Sequence, residues 1–219
     1  MLDFQFMQQC VPIFAKALSL TLYISFFGIL LSLLIGFVCA WILFLKVPFV
    51  RYLVNAYVEV ARNTPLLIQL FFLYYGLHGV MGISLNEYVC AITGLAFLGG
   101  GYMCESFRTG LESMSKSQIE SAQSIGLSPF QMMRYVILPQ SLGVALPSVG
   151  ANVIFLLKET SVVGVIALAD VMFVTKDIIT NYYKTNEALL MLILSYLVVL
   201  LPLSFVFSLL EKSYKKRVL

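Results

Sequence analysis

Charge is scarce in this chain, histidine occurs once, and the few cysteines are scattered. Lys, Arg, Asp and Glu make up 11% of the 219 residues, against about 25% in a soluble domain. Too few polar side chains remain to clothe a water-facing globule. The single histidine, His78, cannot build a metal site and is expected at a helix end near a membrane surface. Cys10, Cys39, Cys90 and Cys104 lie in or beside apolar stretches without metal-ligand spacing, and we read them as small packing residues. The sequence contains no HExxH and no GxxxxGK[ST], which argues against zinc hydrolysis and excludes nucleotide binding through a phosphate loop. No two aspartates fall within facing spans, as an intramembrane acid pair would require. No metal and no cofactor is expected. Asp3 stands where a signal peptide needs positive charge, so insertion through the first helix is expected. The net charge of +3 fits basic cytoplasmic loops better than nucleic-acid binding.

What is abundant is apolar sequence, 60% of residues, gathered into blocks. No charge occurs within Ala17–Leu45, Asn63–Asn86, Tyr88–Cys104, Tyr135–Leu157 or Ala188–Leu210. All but the third reach the roughly 18 residues that read as a spanning helix, and the third falls just short. Lipid offers no partner for free backbone groups, so such segments must be helical. The expectation is an all-α membrane protein with five transmembrane helices, one domain over residues 1–219. With the N-terminus outside and the C-terminus inside, the inner segments hold Lys46, Arg51, Arg108, Lys116, Arg134, Lys212, Lys215, Lys216 and Arg217, and the outer ones only Lys16, Lys176 and Lys184. Positive-inside counting favours that orientation.

The longest polar stretch runs from Glu105 to Arg134, in a cytoplasmic loop of about residues 110–140. Ile119, Ala122 and Ile125 make a short helical stripe, with Glu120, Gln123 and Ser124 on the other side. Gly126 stands where a left-handed helix stop belongs. Ser128 and Pro129 read as an N-cap and a first-turn proline. Phe130, Met133 and Ile137 make a second stripe, and Pro139 marks entry into the next span. The loop is therefore helix, glycine turn, helix. One reading makes it an amphipathic hairpin on lipid headgroups; the other gives it a protein partner.

Glu120-Ser121-Ala122, Gly126 and Ile137-Leu138-Pro139 resemble the EAA loop of ABC-importer permeases, with Ser121 in place of the usual alanine and Ser115 and Ser117 departing from the usual Pro and Gly. Ala61-Arg62-Asn63-Thr64-Pro65-Leu66-Leu67 through Phe71-Phe72-Leu73-Tyr74-Tyr75-Gly76 resembles the second-span signature of the polar amino-acid subfamily. Gly101-Tyr102, Glu105 and Arg108 are similar to its third-span ending, and Leu157-Lys158-Glu159-Thr160-Ser161 to its fourth-span signature. The resemblance covers nearly the whole chain. It implies an inner-membrane permease for an amino acid, with coupling to an ATPase through Glu120, Ser121, Ala122, Gly126 and Pro139. It also implies two ATP-binding subunits, a second permease subunit, identical or not, and an extracytoplasmic binding protein.

Two polar groups fall inside the apolar blocks. Arg62 lies 11 residues beyond Arg51, about 16 Å of helical rise and so near mid-membrane. Asn63, Thr64 and Pro65 follow, and proline breaks a helix while Asn or Thr can cap the next one. The new N-terminus would suit a carboxylate. Tyr135–Ala169 spans 35 residues, interrupted only by Lys158 and Glu159; as one helix it would measure about 52 Å, so it must protrude or break. Thr160 and Ser161 are candidate caps for a second half. Arg62, Asn63, Thr64, Lys158, Glu159, Thr160 and Ser161 are the candidate substrate residues. The competing reading pairs Arg62 with a carboxylate such as Glu59, and Lys158 with Glu159, for structure alone. Phe71, Phe72, Tyr74 and Tyr75 read as lipid-facing aromatics rather than a substrate cage. An ion-gradient-driven transporter fits the broken helices equally well, but not the coupling-type loop.

Overall fold

A computed structural model describes residues 2–218, and their side chains as far as Tyr214. Lys215, Lys216 and Arg217, counted above among the inner basic residues, lie outside the described side chains. The elements are helices throughout: α1 (Phe4–Phe44), α2 (Val50–Asn63), α3 (Leu66–Met81), α4 (Glu87–Glu112), α5 (Lys116–Ser124), α6 (Pro129–Ile166), α7 (Val171–Tyr182) and α8 (Thr185–Val218). Four of them, α1, α4, α6 and α8, are each long and apolar enough to cross a membrane, and α2 with α3 forms a fifth candidate bent by 105°. The chain is an all-α, multi-spanning membrane protein.

Small residues set the packing. On α1, Gly28, Ser32, Gly36 and Ala40 recur every fourth residue and are buried. They lie against α4, where a Cβ on Gly36 would strike Met103 and stand 2.7 Å from the Cys104 backbone nitrogen. Close backbone approach of this kind supplies the dispersion contacts that hold helices together where no hydrophobic effect operates. Ser32 Oγ donates to the Gly28 carbonyl at 2.7 Å and reaches the Leu95 carbonyl at 3.2 Å. Gly28 faces Leu95 and Gly36 faces Met103, so α1 and α4 run parallel, with α1 beginning about 24 Å earlier. On the other flank of α4, α6 runs antiparallel: Gly110 meets Ser141, and the Ser106 and Ser148 hydroxyls are 2.7 Å apart. Thus α4 is the central helix, with 67% of its apolar window buried, against 6% for α8.

Helix α8 packs on α6 through Phe207 at Gly150 and Tyr214 at Gly143. Its start is tied to the start of α1, because Lys184 Nζ pairs with Asp3 Oδ2 at 2.9 Å and the Asp3 N–H donates to Glu187 Oε1 at 3.0 Å. Asp3 also caps α1, and the Phe6 N–H and Lys184 hold its carboxyl below the usual range.

The second loop helix and the following span are one element, not two. Pro129–Ile166 is continuous over 38 residues, longer than one crossing needs, and Pro139 lies within this helix rather than at its start. The helix widens into a π turn at Met133–Ile137, where the Leu138 N–H bonds to the Met133 carbonyl. Pro139 has no N–H to give, and the widened turn accommodates its ring without ending the helix.

Candidate functional site

The break expected after Arg62 is present. Helix α2 stops at Asn63, Thr64 is extended (φ −111°, ψ 125°), and Pro65 precedes α3. Proline pushes the residue before it out of helical backbone. The expected caps do something else. Asn63 Nδ2 donates to the Glu59 carbonyl at 2.8 Å and to Glu59 Oε2 at 3.0 Å, and Thr64 Oγ1 donates back to the Val60 carbonyl at 2.8 Å. Both side chains therefore serve the end of α2, and no side chain caps α3. The residue that spans the break is Gln69, whose Nε2 reaches the Ala61 carbonyl at 3.2 Å and the Thr64 carbonyl at 3.0 Å. Sequence reasoning passed over it; its one signal is a glutamine in an otherwise apolar run.

Arg62 pairs with Glu105 of α4 at 3.7 Å and not with Glu59, which is occupied by Asn63. Its guanidinium stands 5.4 Å from the centre of the Tyr102 ring. Glu105 is shared, accepting from Arg108 at 2.8 Å. Beside this pair, Asn152 Nδ2 donates to Ser106 Oγ at 2.8 Å and to the Tyr102 carbonyl at 3.2 Å. The structure thus adds Glu105, Ser106, Ser148 and Asn152 to a polar cluster between α2, α4 and α6. Because α2 lies at 105° to α3, rise along α2 is not rise across the membrane. Arg62 packs on Gly101, 14 residues, or about 21 Å, past Glu87 along α4, which is close to the midpoint of that 26-residue helix.

Lys158 and Glu159 form no ion pair with each other. Neighbouring residues on a helix point about 100° apart and do not face one another. Lys158 is exposed and Glu159 half-buried. Thr160 and Ser161 cap nothing: the helix tightens into a 3₁₀ turn over Thr160–Ile166 and ends at Ala167, φ +65°. Thr160 is fully buried, and its hydroxyl donates to the Leu157 carbonyl at 2.7 Å. The cap of the next helix is Asp170, which accepts from the Phe173 N–H at 2.9 Å and the Met172 N–H at 3.1 Å. Burial pushes its carboxyl up to about 6, against the pull of those two bonds. Ser161 lines a cavity of about 460 Å³ with Leu67 of α3 and Lys176 of α7, so the broken span and the end of α6 share a wall. No hydrogen bond or ion pair joins Arg62 to Lys158 among the described residues. Lys158 lies six residues, about 9 Å, beyond Asn152 along α6. Of the aromatic group, Phe71, Phe72 and Tyr75 are exposed, and Tyr74 packs on the core.

The hairpin forms as its sequence dictates. Ser115 caps α5 with a reciprocal Gln118 bond, and Ser128 caps α6 with Gln131 in the same way, Pro129 following. Gly126 makes the turn at φ +79°. Gln118 Nε2 donates to Gln140 Oε1 at 2.8 Å, bracing α5 against α6. Ala122 is buried and Glu120 and Ser121 are exposed, whereas Ile125 and Phe130, expected to complete the two stripes, are 76% and 75% exposed at the tip.

Residues 32–217 match the family described as the binding-protein-dependent transport system inner membrane component. The chain belongs to this family. It is similar to the "Probable amino-acid ABC transporter permease protein PatM" of Vibrio harveyi, 34% identical over 196 residues that cover 89% of this chain and 88% of that one. It is also 34% identical to the L-cystine transport system permease protein TcyL of Bacillus subtilis over 224 residues, covering 98% of this chain and 92% of that one. A crystal structure of an amino acid ABC transporter with histidines superposes with a TM-score of 0.89 at 31% identity, covering 97% of this chain and 99% of that one. The protein is an ABC-type permease, a multi-pass transport subunit of the bacterial inner membrane, and neither an enzyme nor an ion-gradient-driven carrier.

Proposed function

We infer that this permease imports an amino acid of the polar class, delivered by an external binding protein and driven by ATP hydrolysed on a separate subunit. Similarity to amino-acid permeases supports the substrate class. The observation that carries the mechanism is the hairpin: two capped helices, a positive-φ Gly126 and a tip with Ile125 and Phe130 uncovered. An exposed apolar tip on a braced element is what a groove on a partner needs. Glu120, Ser121, Ala122 and Gly126 form this coupling element, and Pro139 marks where it passes into the membrane. Residues 1–219 act as one transmembrane domain, with residues 110–140 in the cytoplasm. Five crossings, the α2–α3 pair counted as one, put the N-terminus outside and the C-terminus inside. Two ATP-binding subunits and a second permease subunit complete the transporter.

Arg62 binds the substrate carboxylate, with Asn63 and Thr64 holding the break that presents it. Glu159 faces the ammonium, while Lys158 and Ser161 line the route and Thr160 backs it. Reconstitution of the permease with its ATPase and binding protein in liposomes tests the reading. Uptake of a labelled amino acid should require internal ATP and stop with vanadate. Uptake that follows an imposed ion gradient without ATPase overturns it.

A further inference from the structure

Pro65 leaves two carbonyls at the end of α2 without their helical donors. The Ala61 carbonyl would accept from residue 65, which is proline and has no N–H. The Thr64 carbonyl would accept from Ile68, whose N–H goes instead to the Pro65 carbonyl at 3.0 Å. Gln69 serves both, its Nε2 standing 3.2 Å from the Ala61 oxygen and 3.0 Å from the Thr64 oxygen. One amide nitrogen carries two N–H groups, and here each has one acceptor. The side chain is 8% exposed, and its Oε1 is buried with no partner. An apolar residue of the same size would avoid burying that acceptor unpaired. What Gln69 contributes is therefore its pair of donors, which tie α3 to the end of α2 across the 105° bend.

The tie ends one bond from Arg62. The Ala61 carbonyl carbon is bonded to the Arg62 nitrogen, so whatever holds that carbonyl holds the Arg62 backbone. On its other side Ala61, fully buried, is seated on α4: a Cβ on Gly101 would stand 3.0 Å from the Ala61 Cβ and 3.2 Å from the Arg62 Cγ. The base of the Arg62 side chain is thus held between Gly101 and the Gln69 tie. Its guanidinium has the looser contacts, 3.7 Å to Glu105 and 5.4 Å to the centre of the Tyr102 ring. A group misplaced by about 1 Å loses much of its effect on a bound molecule. We propose that Gln69 is a positioning residue for substrate capture: through its two N–H bonds it sets the bend that aims Arg62 at the substrate carboxylate. This rests on the assignment of that carboxylate to Arg62.

The test is uptake of a labelled amino acid by the whole transporter in liposomes, with internal ATP and external binding protein. Gln69→Met keeps the length and loses both donors; Gln69→Glu keeps the shape and loses the same N–H groups. Each should raise the half-saturating substrate concentration about fivefold, the size of one or two lost hydrogen bonds, with the maximal rate and ATPase-subunit binding within about twofold of wild type. Added to Arg62→Ala, Gln69→Met should raise it no further, because a residue that acts through Arg62 then has nothing left to position. If Arg62→Ala raises the half-saturating concentration and both Gln69 variants leave it unchanged, the proposal falls and the Arg62 assignment stands. Additive effects in the double variant, a lower maximal rate at an unchanged half-saturating concentration, or loss of assembly in both variants also overturn it, each making Gln69 a brace for the fold alone. No effect of Arg62→Ala by itself overturns the carboxylate assignment, and the proposal with it.

Discussion

Glu105 is shared unequally by two cations, at 2.8 Å from Arg108 and 3.7 Å from Arg62. The longer contact is the one an arriving carboxylate can replace, and the Tyr102 ring keeps the freed guanidinium in place. Hydrogen bonds to charged groups contribute about 1.5–3 kcal/mol. Arg62→Ala is therefore expected to raise the half-saturating substrate concentration about tenfold or more in a liposome uptake assay, with ATPase-subunit binding unchanged. Loss of assembly instead returns Arg62 to a structural role. Asp170 supports a second residue-scale prediction. Its folded value of about 6 lies above the ordinary 3.8, so the folded state binds the extra proton. The associated stability is present at low pH and lost as pH rises through about 6, in all about 3 kcal/mol. Lys176 and Tyr196 are the charged and titratable groups interacting with it. Asn is as good an N-cap as Asp, so Asp170→Asn should flatten thermal stability between pH 4 and pH 7 while preserving α7; an unchanged profile refutes the assignment. Arg62 and the break after it were legible because charge and proline are conspicuous in an apolar block. The roles of Thr64, Thr160 and Asp170 were not, since a hydroxyl or carboxylate can serve the helix before it or the helix after it, and only coordinates distinguish the two.

The hairpin shows how much local chemistry can specify on its own. The Ser128 cap, the first-turn Pro129 and the Gly126 stop are all short-range signals, and each is realised at its predicted position; the Ser115 cap is a further one that the structure adds. Gly126 has open space around a would-be Cβ, so the constraint there is its φ of +79° rather than a clash. A β-branched side chain at positive φ is strained by about 1–2 kcal/mol. Gly126→Val should keep the permease inserted but cut the ratio of uptake to ATP hydrolysis several-fold in liposomes with binding protein present; a wild-type ratio refutes the coupling role. Gly36 is the opposite case, ordinary in backbone but pressed against Met103 and the Cys104 backbone. Gly36→Leu should force α1 and α4 apart and sharply lower the yield of folded permease, as read by gel filtration in detergent. The small-residue stripe is visible in the sequence, but its partner helix is not. The continuity of α6 through Pro139 was also hidden, because a proline reads as a boundary until a π turn is seen to absorb it.

At the scale of the whole molecule, α1 and α8 start together at the Asp3–Lys184 pair and both run antiparallel to α6, so the chain's two ends point opposite ways. This supports an odd number of crossings. Alkaline phosphatase fused before Met1 should be active, and a fluorescent protein fused after Leu219 should fluoresce inside the cell; the reverse pattern overturns the proposed orientation. The sequence by itself determined that the chain is a bundle of apolar helices, where the hairpin turns and where the second span breaks. Composition, proline and glycine act locally, and lipid leaves a backbone little choice but helix. Only the tertiary structure decided which carboxylate holds Arg62, that Gln69 bridges the break, that Lys158 and Glu159 do not pair, and that α4 lies at the centre. Those outcomes depend on helix register and on the angle between α2 and α3. Both are fixed by contacts between residues far apart in the chain, such as Gly36 with Met103 and Arg62 with Glu105, which periodicity along one segment does not encode.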